Sequence, residues 1–255
     1  MDEVTVMNFF YVIRWKQIRN ISIIILTSLA AAMFLYLNTG AMETFLTKDG
    51  PKAIYKGKRG VSLTFDILWG ENQAVHILEQ LKKEKVTSAT FFLSGSWAEG
   101  HSHIVEKIAE AGYEIGLLGY EYKDYSEIDD AAIKKDILKG LEVFEKLDVP
   151  YKKYLRAPTG HFDKRLLSIA NNLGFTVVHW SINTNDWKSP GTGPIINSVK
   201  DAENGDIILL HASDSAKQTA NALPGILKEL QKKNLKLTTV SENLVEGKWD
   251  TREIH

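Results

Sequence analysis

VSLTFDILWGENQAVHILEQLKKEKVTSATFFL, residues 61–93, is the stretch that decides the fold. Its first five residues, VSLTF, are an unbroken run of apolar and small side chains. Such a run predicts a strand covered on both faces. Residues 71–84 then place Ala74, Val75, Leu78 and Leu81 at helical spacing. SATFFL, at 88–93, predicts a second strand. A strand, a helix and a strand in that order make a parallel pair, because the crossover helix returns the chain to the same edge.

The same alternation continues towards the carboxyl terminus. A helix is expected over 103–111, stopped by Gly112, and a third, shorter strand over 113–118. Residues 130–147 form a long helical pattern with Asp129 placed to cap it. A strand over 154–157 is ended by Pro158, and a helix over 164–173 by Gly174. FTVVHW, at 175–180, is a fifth strand, followed by a helix over 194–202 with proline in its first turn. DIILLH, at 206–211, is a sixth strand. A helix over 216–233 is kinked or begun afresh near Pro224, and residues 235–240 give a seventh strand. Roughly seven such units predict an α/β fold, a closed or nearly closed β/α barrel of parallel strands, with a doubly wound open sheet as the runner-up. No GxGxxG follows the first strand, which argues against a dinucleotide fold.

Upstream of residue 58 the character changes. Residues 21–37, ISIIILTSLAAAMFLYL, carry no charge, and Arg14, Lys16 and Arg19 precede them. This predicts one N-terminal transmembrane helix with residues 1–20 as its basic cytoplasmic flank. A cleaved signal peptide is the rival reading. The expected organisation is then an anchor at 21–37, a linker at 38–57, a domain at 58–245 on the extracytoplasmic side of the membrane, and a tail at 246–255.

Composition excludes other classes. Apolar residues are 44% and charged residues 25%, an ordinary globular mixture. A net charge of −1 gives no basic field for nucleic acid. There is no cysteine, which removes disulfides, thiolate catalysis and cysteine-ligated zinc.

In either architecture the site lies at the carboxyl ends of the strands. That rule selects Asp66 after the first strand, residues 119–122 after the third and Arg156 after the fourth. It also selects Asn183, Asn185, Asp186 and Trp187 after the fifth, and His211 at the end of the sixth. Two carboxylates, a guanidinium and an imidazole suit acid/base chemistry near neutral pH. Asp66 is expected to pair with Arg156 and to take a proton from water, and Asp186 to hold the tautomer of His211, which donates one. A structural ion pair is the plainer reading of Asp66 and Arg156. Trp69, Trp97, Trp180 and Trp187 sit near strand ends, where they either line a carbohydrate groove or pack the core. His101 and His103 read as surface residues, and His161 lies near enough to Arg156 to approach the mouth.

LTFD at 63–66, RAPTG at 156–160, NTNDW at 183–187 and LLHAS at 209–213 resemble, in order and spacing, the motifs of the polysaccharide deacetylases, the NodB-homology proteins of carbohydrate esterase family four. FDILWG, SGSW, GLLGYEY and HWSINTNDWKSPG look closer still to a sporulation member of that family. The resemblance spans about residues 58–240. It implies a (β/α)7-type distorted barrel of parallel strands and hydrolysis of N-acetyl groups on a glycan such as peptidoglycan. It implies Asp66 as catalytic base, Arg156 as the residue orienting it, His211 as general acid and Asp186 as the carboxylate tuning it. It also implies Leu210 as a lining of the acetyl pocket, with Trp187 and Trp69 as further substrate-binding candidates.

The departures concern metal. A divalent ion such as zinc is what the family implies, but its usual ligand positions are occupied here by Ile67, Leu118 and Tyr122. Isoleucine and leucine offer no lone pair. No cofactor is therefore expected, unless Glu71, Glu121 or Asp124 rebuild a site. The expected partners are cell-wall glycan and, through the anchor, the membrane, for a monomer without nucleic acid. Three functions compete: a weak deacetylase-type hydrolase acting in sporulation, a glycan-binding pseudoenzyme, and an envelope assembly protein.

Overall fold

The computed structural model describes residues 25–29, 33 and 50–244. Residues 25–29 and 33 are helical. Most of the predicted anchor at 21–37, all of 1–20 and all of the tail at 246–255 lie outside the described residues. Among the described residues no helix is long and apolar enough to cross a membrane.

Seven parallel strands are described: β1 Ser62–Ile67, β2 Thr90–Leu93, β3 Glu114–Leu117, β4 Tyr154–Leu155, β5 Thr176–Val177, β6 Ile182–Asn183 and β7 Ile207–His211. Their order in the sheet is β5-β4-β3-β2-β1-β7-β6, with every pairing parallel. That is the sequential order of a barrel opened between β5 and β6. At the opening, Ile54 bridges to Val178 and Lys56 to Asp206. Ala53 and Ile54, within the stretch 38–57 read as a linker, are fully buried there.

Among the described residues eight α-helices accompany the strands: α1 Asn72–Lys83, α2 Gly95–Gly100, α3 Ser102–Glu110, α4 Asp130–Lys146, α5 Lys164–Asn172, α6 Thr192–Asn197, α7 Thr219–Lys232 and α8 Val240–Leu244. Asp129 caps α4, its side chain accepting from Ala132 N–H at 2.8 Å, and Asp163 caps α5 through Arg165 and Leu166 N–H. α7 runs through Pro224 as one element.

Strand alternation divides the side chains between two compartments. Leu63, Phe65 and Ile67 of β1, Phe91 and Leu93 of β2, and Ile208 and Leu210 of β7 join the core that packs under the helices. Phe92, Leu118, Val178 and Ile207 join a smaller cluster inside the barrel, with Val240 and Leu244 from α8. Ser62, Thr64 and Asp66 take the other face of β1 and are also buried.

Two predicted elements differ. Residues 235–240 make a single bridge, Val61 to Leu237, instead of a seventh strand, because α8 begins at Val240 and takes the backbone out of the ladder. The strand that brings the number to seven is β6, Ile182–Asn183, two residues that pair with Ile208 and Leu209 of β7. The fifth strand ends at Val177, although the next N–H, that of Val178, still bonds to Leu155 O at 2.8 Å.

Candidate active site

β1 and β7 end side by side, so Asp66 and His211 are direct partners in the ladder. Arg156 leaves β4 with its N–H bonded to Leu117 O at 2.9 Å, and its side chain crosses the barrel interior. The guanidinium is fully buried and donates to Asp66 Oδ1 at 2.7 Å, Thr64 Oγ1 at 2.9 Å, Val178 O at 3.2 Å and His179 O at 2.9 Å. It also lies over the Phe92 ring, 4.0 Å from the centroid. A buried charge needs such a set of partners, since desolvation alone costs several kcal/mol per ion, on the order of the attraction gained. Burial pushes the Asp66 carboxyl above its usual range, opposed by Arg156 and His211.

Asp186 opens a single 3-10 turn, Asp186–Lys188, flanked by Asn185 and Ser189 in the left-handed region. It is fully buried. Its Oδ1 meets His211 Nδ1 at 2.8 Å and accepts Trp187 N–H at 3.0 Å. Its Oδ2 accepts His211 N–H at 2.7 Å and the Thr219 hydroxyl at 2.6 Å. With Asp186 Oδ1 as its acceptor, His211 carries a proton on Nδ1 and leaves Nε2 for the cavity. Burial alone would lower the His211 pKa, but the Asp186 contact outweighs it and the value is raised above 6.5.

These two pairs sit at a cavity of about 480 Å³ lined by Asp66, Trp69, Tyr122, His161, Trp187 and His211, among others. Trp69 and Trp187 are 45% and 47% exposed, and Tyr122 stands edge-on to Trp69 with ring centroids 5.8 Å apart. Aromatic faces presented at a mouth suit the apolar faces of sugar rings. His161 also lines the cavity, its Nδ1 2.7 Å from Asp124 Oδ2. Asn183 and Asn185 add amides to the lining.

Other predicted residues go elsewhere. Leu210 does not reach the cavity: it is fully buried in the core under the helices, and Leu209, one residue earlier and on the opposite face of β7, takes the lining position. Trp97 is a core residue at 3% exposure, while Trp180 lines the cavity. His103 is exposed beside Glu71, but His101 is half-buried, stacked on Trp97. Among the usual metal positions, Ile67 is buried under the helices, Leu118 is buried inside the barrel, and Tyr122 is on the rim. Glu71, Glu121 and Asp124 pair with His103, Lys123 and His161 respectively and do not converge. Among the described residues no three histidine, aspartate or glutamate side chains are grouped to hold an ion. The donor set does not fit a divalent metal.

Sequence reasoning missed Leu209, Thr219 and His179. His179 lines the cavity, stacked on Trp180 at 3.6 Å between centroids. Burial, helped by Arg156, lowers its pKa to about 3, so it is neutral at any ordinary pH.

Comparison with known proteins places this geometry among relatives. Residues 53–178 match the polysaccharide deacetylase family model. The chain is 34% identical over 188 residues to a peptidoglycan-N-acetylglucosamine deacetylase of Bacillus cereus, covering 72% of this chain and 87% of that protein. It is 32% identical over 196 residues to the uncharacterized protein YlxY of Bacillus subtilis, covering 75% of this chain but only 60% of that longer relative. Among solved structures it is similar to a CE4 family pseudoenzyme from Bacillus anthracis, with TM-score 0.72 and 28% identity over 81% of this chain and 74% of that one. A mutant of that pseudoenzyme with restored enzymatic activity gives TM-score 0.70 and 29% identity, over 76% and 71%.

Proposed function

From the premise that the chain belongs to the polysaccharide deacetylase family, we propose that its cavity receives an N-acetylated cell-wall glycan of the peptidoglycan type and that its two charged pairs act on the carbon–nitrogen amide bond. The observation that carries this is the side-by-side placement of Asp66, held by Arg156, and His211, held by Asp186, at one aromatic-rimmed cavity.

The roles follow from the environments. Asp66 takes a proton from water as the water oxygen attacks the acetyl carbonyl carbon. His211, charged through Asp186, gives its Nε2 proton to the nitrogen as the carbon–nitrogen bond breaks. Acetic acid and a free amine leave, and proton return resets both groups. Trp69 and Trp187 stack on the sugar. A divalent ion would ordinarily polarise the carbonyl, a contribution worth several kcal/mol. The residues present do not fit one, no step passes through one, and the expected turnover is slow.

That same donor set favours a second reading, a glycan-binding pseudoenzyme. A sporulation role is supported by the likeness of FDILWG, SGSW, GLLGYEY and HWSINTNDWKSPG to the sporulation protein PdaB. The apolar run at 21–37 supports a single-pass anchor with the domain on the extracytoplasmic side. Incubation of the full-length chain with acetylated muropeptides, with acetate release and binding both measured, separates the readings. Release above that of Asp66→Asn supports hydrolysis. Binding without release supports the pseudoenzyme, and absence of both removes the glycan.

A further inference from the structure

Asp136 is a buried carboxylate in the middle of α4, outside both charged pairs. Its Oδ2 accepts Tyr120 N–H at 2.7 Å and the Tyr125 hydroxyl at 2.7 Å. Its Oδ1 accepts Glu121 N–H at 3.3 Å and lies 3.7 Å from Lys123 Nζ. One carboxylate therefore gathers four residues of the loop that follows β3. Burial, then Asp136 itself, raises the Tyr125 pKa well above 10, which keeps that phenol a donor. Gly119 opens the loop at φ +66°, where an added Cβ would fall 2.4 Å from Tyr125 Oη and 2.9 Å from Asp136 Oδ2. Only glycine allows so close a turn.

The loop delivers two side chains to the cavity mouth. Tyr122 reaches Trp69, as described above, and is itself 61% exposed. Asp124 reaches His161 through Oδ2, while its Oδ1 accepts Ser126 N–H at 2.9 Å and Ser126 Oγ at 2.6 Å. Tyr122 and His161 both line the cavity. A loop that presents Glu121 and Tyr122 to solvent would lose conformational entropy on meeting a ligand unless it were already fixed.

We propose that Asp136 is a positioning residue for saccharide recognition: by fixing residues 119–125 it sets the aromatic ring of Tyr122 and, through Asp124, the imidazole of His161 that a pyranose ring meets at the mouth. This rests on the glycan reading and names the segment that confers its specificity.

The test is calorimetric titration of the full-length chain with the tetramer of N-acetylglucosamine, paired with thermal melting. Asp136→Asn is expected to weaken binding about tenfold in the otherwise unaltered chain. In a Tyr122→Ala/His161→Ala chain, itself weakened, the same change is expected to alter Kd by less than about twofold, because the side chains it positions are gone. Tyr125→Phe removes one donor and leaves the carboxylate; a loss of about threefold is expected, again absent in the double-alanine chain. That variant decides the matter should Asp136→Asn fail to fold. Unchanged affinity in Asp136→Asn or, in its place, Tyr125→Phe, or an equal loss in both backgrounds, overturns the proposal. No binding by the unaltered chain removes the glycan reading itself, and this inference with it.

Discussion

Asp66 and His211 are direct partners across the β1–β7 ladder, yet each is secured by a different second charge, Arg156 for the one and Asp186 for the other. The pair is thereby assembled from the ends of two adjacent strands, one crossing arginine and one 3-10 turn. Neither group depends on the other for its orientation. A proton acceptor and a proton donor can then differ in their preferred charge although they sit side by side.

Arg156 is the first place to test this. Arg156→Met leaves Asp66 buried at 4% exposure without its counter-charge. A loss of about 3–5 kcal/mol is expected in urea denaturation. Asp66→Asn/Arg156→Met, which removes both charges, is expected to recover much of it. A single-variant loss under about 1 kcal/mol would contradict the buried pair.

The His211–Asp186 pair predicts a pH dependence. The native His211 value is raised above 6.5, so folding favours its charged form. The stability this contributes is fully present below about pH 6.5 and is lost as pH rises through the raised native value. Proton exchange in NMR titration should place His211 above 6.5, and Asp186→Asn should bring it down. His179 should stay neutral, titrating at about 3. A His211 midpoint at or below 6.5 in the unaltered chain would refute the pairing.

Much of this arrangement could be read from the sequence, and the failures have physical reasons. VSLTF and SATFFL stand out because both faces of each strand are buried. Asp129 stands out because a cap precedes a long amphipathic run. Ile182–Asn183 does not, since a two-residue strand amid SINTND has no periodicity to detect. Residues 235–240 look like a strand because Leu235, Leu237 and Val240 are apolar, but they serve packing at the barrel's end. Asp66, Arg156, Asp186 and His211 were legible as strand-end polar groups. Asp136 was not: an aspartate in a helix full of charges reads as solvated, and only the loop folded over it reveals otherwise.

The face of β7 gives a sharp discrimination. Leu209 lines the cavity and Leu210 packs under the helices. Leu210→Ala is expected to cost about 2–5 kcal/mol in denaturation and to leave glycan affinity unchanged. Leu209→Ala should weaken binding of the N-acetylglucosamine tetramer with a smaller loss of stability. The reverse pattern would put the strand in the other register, since a shift of one residue exchanges its faces.

Metal can be tested directly. With Ile67 and Leu118 in apolar surroundings and no grouped donors among the described residues, added zinc has nothing to bind preferentially in the native state. The melting temperature of the chelator-treated chain should therefore move by less than about 1 °C on adding zinc at micromolar concentration. An upward shift that persists in Asp66→Asn would reveal ligands from elsewhere in the chain.

Thr219 tests the support beneath His211. Its buried hydroxyl donates to Asp186 Oδ2 at 2.6 Å, completing a set with His211 Nδ1, His211 N–H and Trp187 N–H. Thr219→Val keeps the shape and removes the donor. Losing a hydrogen bond to a charged acceptor costs about 1.5–3 kcal/mol. The carboxylate, with one donor fewer, concentrates its charge on the remaining partners, so the His211 titration should move further upward. Thr219→Ser, which restores the hydroxyl, should return both stability and titration towards the unaltered values. If the serine and valine variants behave alike, the hydroxyl does not act on Asp186, and the tuning of His211 must be attributed to the carboxylate and the backbone alone.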